Sequence, residues 1–263
     1  MQLYLAAAPR YLPEAGRWGL PIAHAAYAVD DGGRLAALPL PPDLRGGLLL
    51  LTESGSSSLP QPDALCRDIL RECLRRGYTG VAVGTVLPDA ALTALAVLCS
   101  RYGRTLYVPE SSGGALPQAR VVVSTALSGG TLRRRLEEAV RRFGPHRMVL
   151  DLACTRMDFS LPAPYGEGTS LTARQLTALQ GQRPVFFSPE LCARYFTYEQ
   201  GGMVHFVLFD DADTLRRKIQ LGAALGIPAG FLSLPEAAEA LPRLLGKGYE
   251  PEGITLGLFQ DQS

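Results

Sequence analysis

The stretch HFVLFDDADTLRRKIQLGAALGIPAGF, residues 205–231, contains the unit from which the fold can be predicted. An apolar run that ends at Phe209 is followed by a helical pattern over 211–225 and by a second apolar run over 229–234. A helix that leads into a near-continuous apolar strand is typical of a parallel sheet whose two faces are both covered. The stretch therefore predicts an α/β fold.

The same alternation continues outward along the chain. Helical patterns lie at 61–76, 88–101, 130–143, 211–225 and 235–246, and eight apolar runs that read as strands lie near 2–8, 22–29, 47–52, 79–86, 104–109, 119–126, 147–153 and 229–234. Strands that alternate with helices pair in parallel through right-handed crossovers. Eight of them predict a closed (β/α)8 TIM barrel, with an open doubly wound sheet as the main alternative.

Three connections depart from a regular barrel. The links 30–46 and 110–118 are too short or too rich in Gly and Pro for full helices, so we expect some crossover helices to be shortened. The long link 159–210 contains PVFFS and then RYFTYEQGGMVHFVLF, in which an E-Q-G-G turn joins two strand-like runs as in a β-hairpin. We predict one barrel domain over 1–263, with a small α+β insertion at about 159–210 before the last strand.

The composition excludes several classes of protein. The 26 basic and 25 acidic side chains give a net charge of +1, so no overall field attracts nucleic acid or an anionic membrane. The start reads as a strand and not as a signal peptide, and no apolar run reaches the ~18 residues of a membrane helix. Five scattered cysteines without C-x-x-C spacing indicate reduced thiols. We expect a cytoplasmic protein with no cofactor and no metal site.

The opening stretch also carries a resemblance to a known family. It resembles the pattern H-x-V-W-F-E-D-A-x-S, with Lys four residues on, of the family-18 glycoside hydrolases, the chitinase-like barrels, especially compact members from spore-forming bacteria. Asp210 and Thr214 are conservative changes. The segments GPHRMVLDLACTRMDF and GLPIAHAAYAVDDGGRL are similar to the family's seventh and second strands. The positions that match the pattern are His205, Val207, Phe209, Asp211, Ala212 and Lys218.

The resemblance directs attention to the fourth strand, TGVAVGTV. In the family this strand carries D-G-x-D-x-D-x-E, and when the two are aligned on Gly80 the acidic positions fall on Thr79, Ala82, Gly84 and Val86. The family's mechanism uses the Glu to protonate the leaving oxygen, while the substrate's own acetamido group attacks and an Asp stabilises it. Since Val86 cannot donate a proton and Gly84 cannot stabilise charge, we expect the family's catalytic motif to be lost.

Other family features are also replaced. The Trp that ends the family's eighth strand corresponds to a position near Ser233, and the single tryptophan of the chain is Trp18. The S-x-G-G of strand three is T-E-S-G, and the Met-x-Tyr-Asp of strand six is VVVSTA. Substitutes for the lost acids are expected among the carboxylates at predicted strand ends, which are Glu53, Glu110 and Asp151. Arg156 and Asp158 are predicted to form an ion pair at the same mouth.

Two functional hypotheses follow. The first is a catalytically inactive chitinase-like barrel that acts as a binding or scaffold module, with a glycan or a protein as its partner. The alternative is a divergent glycoside hydrolase that acts on N-acetylglucosamine-containing glycans with relocated carboxylates. Sugar sites usually present stacked aromatic side chains, and the predicted mouth has few, which favours a protein partner or a structural role.

Overall fold

A computed structural model describes residues 1–54, 62–127, 129–163 and 167–246. Its strands, in chain order, are β1 (Gln2–Ala7), β2 (Ile22–Val29), β3 (Leu35–Ala37), β4 (Leu48–Ser54), β5 (Gly80–Val83), β6 (Thr105–Pro109), β7 (Arg120–Ser124), β8 (Met148–Asp151), β9 (Arg156–Leu161), β10 (Thr169–Ser170), β11 (Phe186–Ser188), β12 (Ala193–Gln200), β13 (Met203–Phe209) and β14 (Ala229–Leu234). Its helices are α1 (Leu12–Ala15), α2 (Pro62–Arg76), α3 (Asp89–Arg101), α4 (Leu132–Phe143), α5 (Ala173–Gln180), α6 (Ala212–Ala224) and α7 (Leu241–Leu244).

Eight of the strands form a closed parallel barrel. The hydrogen-bonded order is β1-β14-β8-β7-β6-β5-β4-β2, and β1 also pairs with β2, which closes the ring. The predicted TIM barrel is thereby confirmed, and the open doubly wound sheet is excluded. Strand β5 is the fourth strand of the barrel in chain order, as the alignment of TGVAVGTV on the family's fourth strand predicts. No helix in the described ranges is both long enough and apolar enough to cross a membrane.

The shortened crossovers are confirmed as well. The link 30–46 holds only β3, which pairs antiparallel with β2, and the link 110–118 holds a 3-10 turn over Glu110–Ser112. The predicted helix at 235–246 is wrong in extent, because turns occupy 235–240 and only α7 is helical. Pro242 lies at the start of α7, and a proline in the middle of a longer helix would remove a backbone hydrogen bond.

Side chains fill the interior of the barrel at mid-height. Tyr4, Tyr107 and Phe231 form a ring cluster, with centroid separations of 5.4 Å from Tyr4 to Phe231 and 5.5 Å from Tyr107 to Phe231. Small residues such as Ala82 share this buried cluster and leave room for the rings. The strand residues of opposite parity face outward into two layers under the helices, one with α2 and α3 and one with α4, α6 and α7. The barrel is therefore a packed core and not a pore.

A second sheet lies in the connection between β8 and α6. Strands β9 to β13 form an antiparallel sheet in the order β10-β9-β13-β12-β11, and it spans Arg156 to Phe209, close to the predicted 159–210. The predicted hairpin is present as β12 and β13. Its turn is made by Gly201 and Gly202, with φ of 63° and 78°, which a residue with a side chain rarely adopts. Helix α5 covers one face of the sheet through Leu176.

The chain enters and leaves the inserted sheet at one place, which we call the neck (Thr155, Asp210 and Lys218). The backbone N–H of Asp210 donates to the carbonyl of Thr155 at 2.8 Å, so the chain leaves the insertion beside the residue at which it entered. The Lys218 Nζ lies 2.7 Å from Asp210 Oδ2, and both side chains are almost fully buried. Asp210 also accepts hydrogen bonds from the Thr155 N–H and the Thr214 hydroxyl. The residues of the opening stretch that resemble the family motif therefore form a buried structural pair.

Candidate functional site at the barrel mouth

The end of β5 has no space for an acidic side chain at one of the motif positions. Ala82 is 4% exposed and lies in the interior cluster. The backbone N–H of Gly84 donates to the carbonyl of Leu51 at 2.8 Å. A Cβ on Gly84 would lie 2.9 Å from that carbonyl oxygen and 3.4 Å from Leu50 Cδ1. Since Leu51 belongs to the neighbouring strand, a side chain at 84 requires a shift of the backbone.

The other two motif positions lie away from the interior. Val86 is 86% exposed, because β5 ends at Val83 and the strict alternation of side chains ends with it. Alternation along an extended strand predicts that Ala82, Gly84 and Val86 project to one side, and this prediction is wrong for Val86. Thr79 precedes β5 at the opposite end of the barrel, where its hydroxyl donates to the carbonyl of Gly47 at 3.1 Å.

The three candidate substitute carboxylates have different surroundings. Glu53 is exposed at the end of β4, where the pairing with β2 shifts register so that Glu53 lies beside Ala28. Glu110 forms an ion pair with Arg135 of α4, with one hydrogen bond from Nη1 at 3.1 Å. Asp151 has the parity of the interior residue Val149, so it is directed into the barrel.

Asp151 is consequently the strongest titratable candidate at the mouth. It lies beside Ser124 and Phe231 in the registers of β7 and β14. Burial raises the pKa of the Asp151 carboxyl, a hydrogen bond with Ser124 acts in the opposite direction, and the charge of Glu236 raises it further. A carboxyl group that keeps its proton can both donate and accept hydrogen bonds, and perturbed groups of this kind are candidates for functional sites.

The tryptophan of the chain does not contribute to the mouth. Trp18 lies in a 3-10 turn, Gly16–Trp18, and packs against the outer layer under α4, α6 and α7. The strand end that carries Trp in the family carries Ser233, in β14. The mouth therefore lacks an indole floor at this position.

The predicted ion pair between Arg156 and Asp158 is wrong. The Arg156 guanidinium donates to the carbonyl of Glu236 at 2.8 Å, and it lies 3.8 Å from the Glu239 carboxylate. Asp158 instead bonds to side chains on β12 and β13. Strand β13 is the neighbour of β9 in the sheet, and β12 is the next strand beyond it. The residue pattern within β9 therefore could not reveal these partners.

Asp158, Tyr198 and His205 form a polar cluster on the face of the second sheet that α5 covers. The Tyr198 hydroxyl donates to Asp158 Oδ2 at 2.6 Å, and His205 Nδ1 lies 3.1 Å from Asp158 Oδ1. The rings of Tyr198 and His205 stack at 4.5 Å. Burial and the neighbouring Asp158 raise the pKa of Tyr198 to about 12. This cluster was not predicted from the sequence, although the hairpin register that places Tyr198 opposite His205 follows from the E-Q-G-G turn.

Two further observations concern metal and thiol chemistry. Within the described ranges, no group of three or more His, Cys, Asp or Glu side chains is arranged to hold a metal ion. All five cysteines are free, and burial raises the pKa of the Cys154 thiol, which lies just after β8, to about 11. A thiol with a raised pKa is a weak nucleophile near neutral pH.

Comparison with solved structures places this architecture among known barrels. The spore cortex-lytic enzyme SleL of Bacillus megaterium superposes with a TM-score of 0.66 at 16% identity, over 93% of this chain and 72% of that one. The fold is that of a chitinase-like, family-18-type barrel. The family-18 N-acetylglucosaminidase of Paenibacillus barengoltzii gives 0.66 at 14% identity, over 93% and 98% of the two chains.

A chitinase of Chromobacterium violaceum is similar to the same degree. It superposes with a TM-score of 0.65 at 14% identity, over 92% of this chain and 98% of that one. No family model matches the sequence, and no curated protein matches it. The likeness therefore establishes the fold, and the function has to be argued from the residues of the site.

Proposed function

We propose that this protein is a catalytically inactive chitinase-like barrel that acts as a binding or scaffold module. The observation that carries the proposal is the end of β5, where Gly84 lies against the carbonyl of Leu51 and the side chain of Val86 is directed to solvent. General acid catalysis contributes roughly 10²–10⁴ in rate, and a chain without the acid and without the neighbouring stabiliser loses both contributions.

The alternative is a divergent glycoside hydrolase acting on N-acetylglucosamine-containing glycans, and Asp151 is the observation in its favour. A buried carboxyl with a raised pKa is suited to donate a proton. Such a mechanism also needs a second carboxylate or a positioned substrate group. Glu110 is paired with Arg135, and Glu53 is exposed on β4, four strands from β8 around the ring, so neither carboxylate neighbours Asp151 in the sheet. The inactive barrel is therefore the better supported reading.

The partner we propose is a protein. Val86 presents an apolar side chain at the rim, 86% exposed, and Trp18 is packed elsewhere, so a protein surface suits the rim better than a sugar ring. A glycan is the second possible partner. With a net charge of +1 the chain has no general attraction for nucleic acid.

We place the protein in the cytoplasm, and the support is its five unpaired cysteines.

The test is an activity assay with matched variants. Purified protein is incubated with chitin hexasaccharide and with peptidoglycan oligosaccharides, and products are measured by mass spectrometry. We expect no cleavage above a control without protein. The variants Asp151→Asn, Glu53→Gln and Glu110→Gln are assayed in parallel. Turnover by the wild type that Asp151→Asn abolishes would establish the alternative hydrolase and overturn the proposal.

A further inference from the structure

A cavity of about 400 Å³ lies outside the barrel, between α4, α6 and the segment 187–192 of the insertion. We call it the α4–α6 cavity. The backbone N–H of Leu132, at the start of α4, donates to the carbonyl of Glu190 at 2.7 Å, which fixes the inserted segment against the helix. The three elements border a depression that is open to solvent on one side. The lining residues are Leu132, Arg133, Phe187, Pro189, Cys192, Arg217, Gln220, Leu221 and Ala224.

The lining combines apolar walls with two guanidinium groups. Arg133 and Arg217 both border the cavity, and none of its lining residues is acidic. Among the described residues, Arg217 has no carboxylate within salt-bridge distance, and its guanidinium lies 4.8 Å from the centroid of the Phe187 ring. Arg133 has only a long contact of 3.8 Å with Glu137 on its own helix. A guanidinium stacked on a ring keeps its N–H donors, which lie in its plane, available for an anion.

We infer that the α4–α6 cavity binds a small amphiphile in which a carboxylate is attached to a short aliphatic chain. The chain packs against Leu221 and Ala224 on α6, and the carboxylate accepts hydrogen bonds from Arg217. A cationic amphiphile of the same size meets two like charges and is rejected. The site is separate from the barrel mouth, so it does not depend on whether the mouth is catalytic.

The experiment uses two probes with the same tail and opposite charge. Decanoate and decyltrimethylammonium are titrated into the full-length protein by isothermal titration calorimetry, below the concentrations at which they form micelles. We expect saturable binding of decanoate and no binding of decyltrimethylammonium. Arg217→Gln should weaken decanoate binding by roughly 10-fold to 100-fold, the loss expected for a charge-assisted hydrogen bond.

A second variant and a matched control locate the site. Ala224→Glu places a carboxylate on the exposed rim at the end of α6, and it should abolish decanoate binding without disturbing the core. Arg174→Gln removes the same charge from the exposed surface of α5, outside the cavity, and should leave the affinity unchanged. Thermal melts confirm that each variant is folded. The inference is overturned by no decanoate binding, by equal binding of both probes, or by unchanged affinity in Arg217→Gln.

Discussion

The residues at the end of β5, the fourth barrel strand, are small or apolar, and none of Ala82, Gly84 and Val86 carries a group that can donate a proton. Ala82 leaves room for the rings of Tyr107 and Phe231, and Gly84 allows β5 to approach the carbonyl of Leu51. The packing at Ala82 and Gly84 leaves no space for a carboxylate, whereas Val86 is exposed to solvent.

The contrast between Ala82 and Val86 gives a matched pair of substitutions. Ala82→Glu buries a carboxylate among aromatic rings, and we expect it to lower the free energy of unfolding by about 3 kcal/mol or more. Val86→Glu adds a solvated charge and should change stability by less than about 0.5 kcal/mol. Urea denaturation of both variants measures the difference. Equal destabilisation by both would contradict the exposure of Val86. Neither variant should cleave chitin hexasaccharide.

The neck gives a second prediction at the residue scale. Lys218→Met leaves the Asp210 carboxylate buried without its cation, so we expect a loss of about 3–5 kcal/mol in the free energy of unfolding. The double variant Asp210→Leu with Lys218→Met removes both charges and should recover much of that loss. Guanidinium denaturation at pH 7 measures both effects. A single variant as stable as the wild type would show that the pair contributes little.

The helix α2 is fixed to the barrel by a polar network as well as by its apolar face. Tyr27 on β2 donates to Glu72 at 2.9 Å, and Arg76 donates to the same carboxylate at 2.7 Å and to the carbonyl of Pro41 at 2.9 Å. Burial acts to raise the pKa of Glu72, but the hydrogen bonds from Arg75, Arg76 and Tyr27 outweigh it and lower the pKa to about 2. The network therefore joins α2 to β2 and to the link before β4.

This network makes part of the stability dependent on pH. An unfolded Glu titrates near ~4.3, above its folded pKa, so the stabilisation is complete above about pH 5 and is lost as the pH falls towards about 2. Glu72→Gln should cost about 2–3 kcal/mol at pH 7, and the difference from wild type should shrink across that window. Urea denaturation at several pH values measures it. Glu137→Gln, an exposed control, should show little effect at any pH.

At the scale of elements, the sequence predicts what depends on local pattern. The barrel strands are near-continuous apolar runs between helices, and the hairpin has a Gly-Gly turn, so both could be predicted. The helix expected at 235–246 was too long because Pro235 and Pro242 bound its turns. The direction of Asp151 depends on strand register, and the pairing of Glu110 with Arg135 depends on a partner distant in the chain. The cluster of Asp158, Tyr198 and His205 depends on pairing across three strands, which no local pattern contains.

At the scale of the whole molecule, the inserted sheet is attached to the barrel through the neck and a few lateral contacts. Arg194 of β12 forms an ion pair with Asp211 at the start of α6, and Glu190 accepts from the Leu132 N–H. Thr155, which follows β8, and Asp210, which precedes α6, are joined by hydrogen bonds, so the two ends of the insertion lie side by side.

We predict that replacing residues 156–209 by Gly-Gly leaves a folded barrel. Its thermal unfolding should remain cooperative, with Tm lower by roughly 5 °C, because the lateral contacts are lost while the Asp210–Lys218 pair remains. Circular dichroism melts of the deletion variant and the full-length chain test this. A deletion variant without a cooperative transition would show that the barrel requires the inserted sheet.

The pairing of β1 with β14 has a consequence for how the molecule is made. β1 is synthesised before the other strands of the barrel and must wait for the last of them, residues 229–234, before the ring can close. Until then the nascent sheet has two unpaired edges, one on β1 and one on the strand most recently added. Open edges promote association between chains, and long-range parallel pairing is slow. We therefore expect slower translation or chaperone binding late in synthesis to raise the yield of soluble protein.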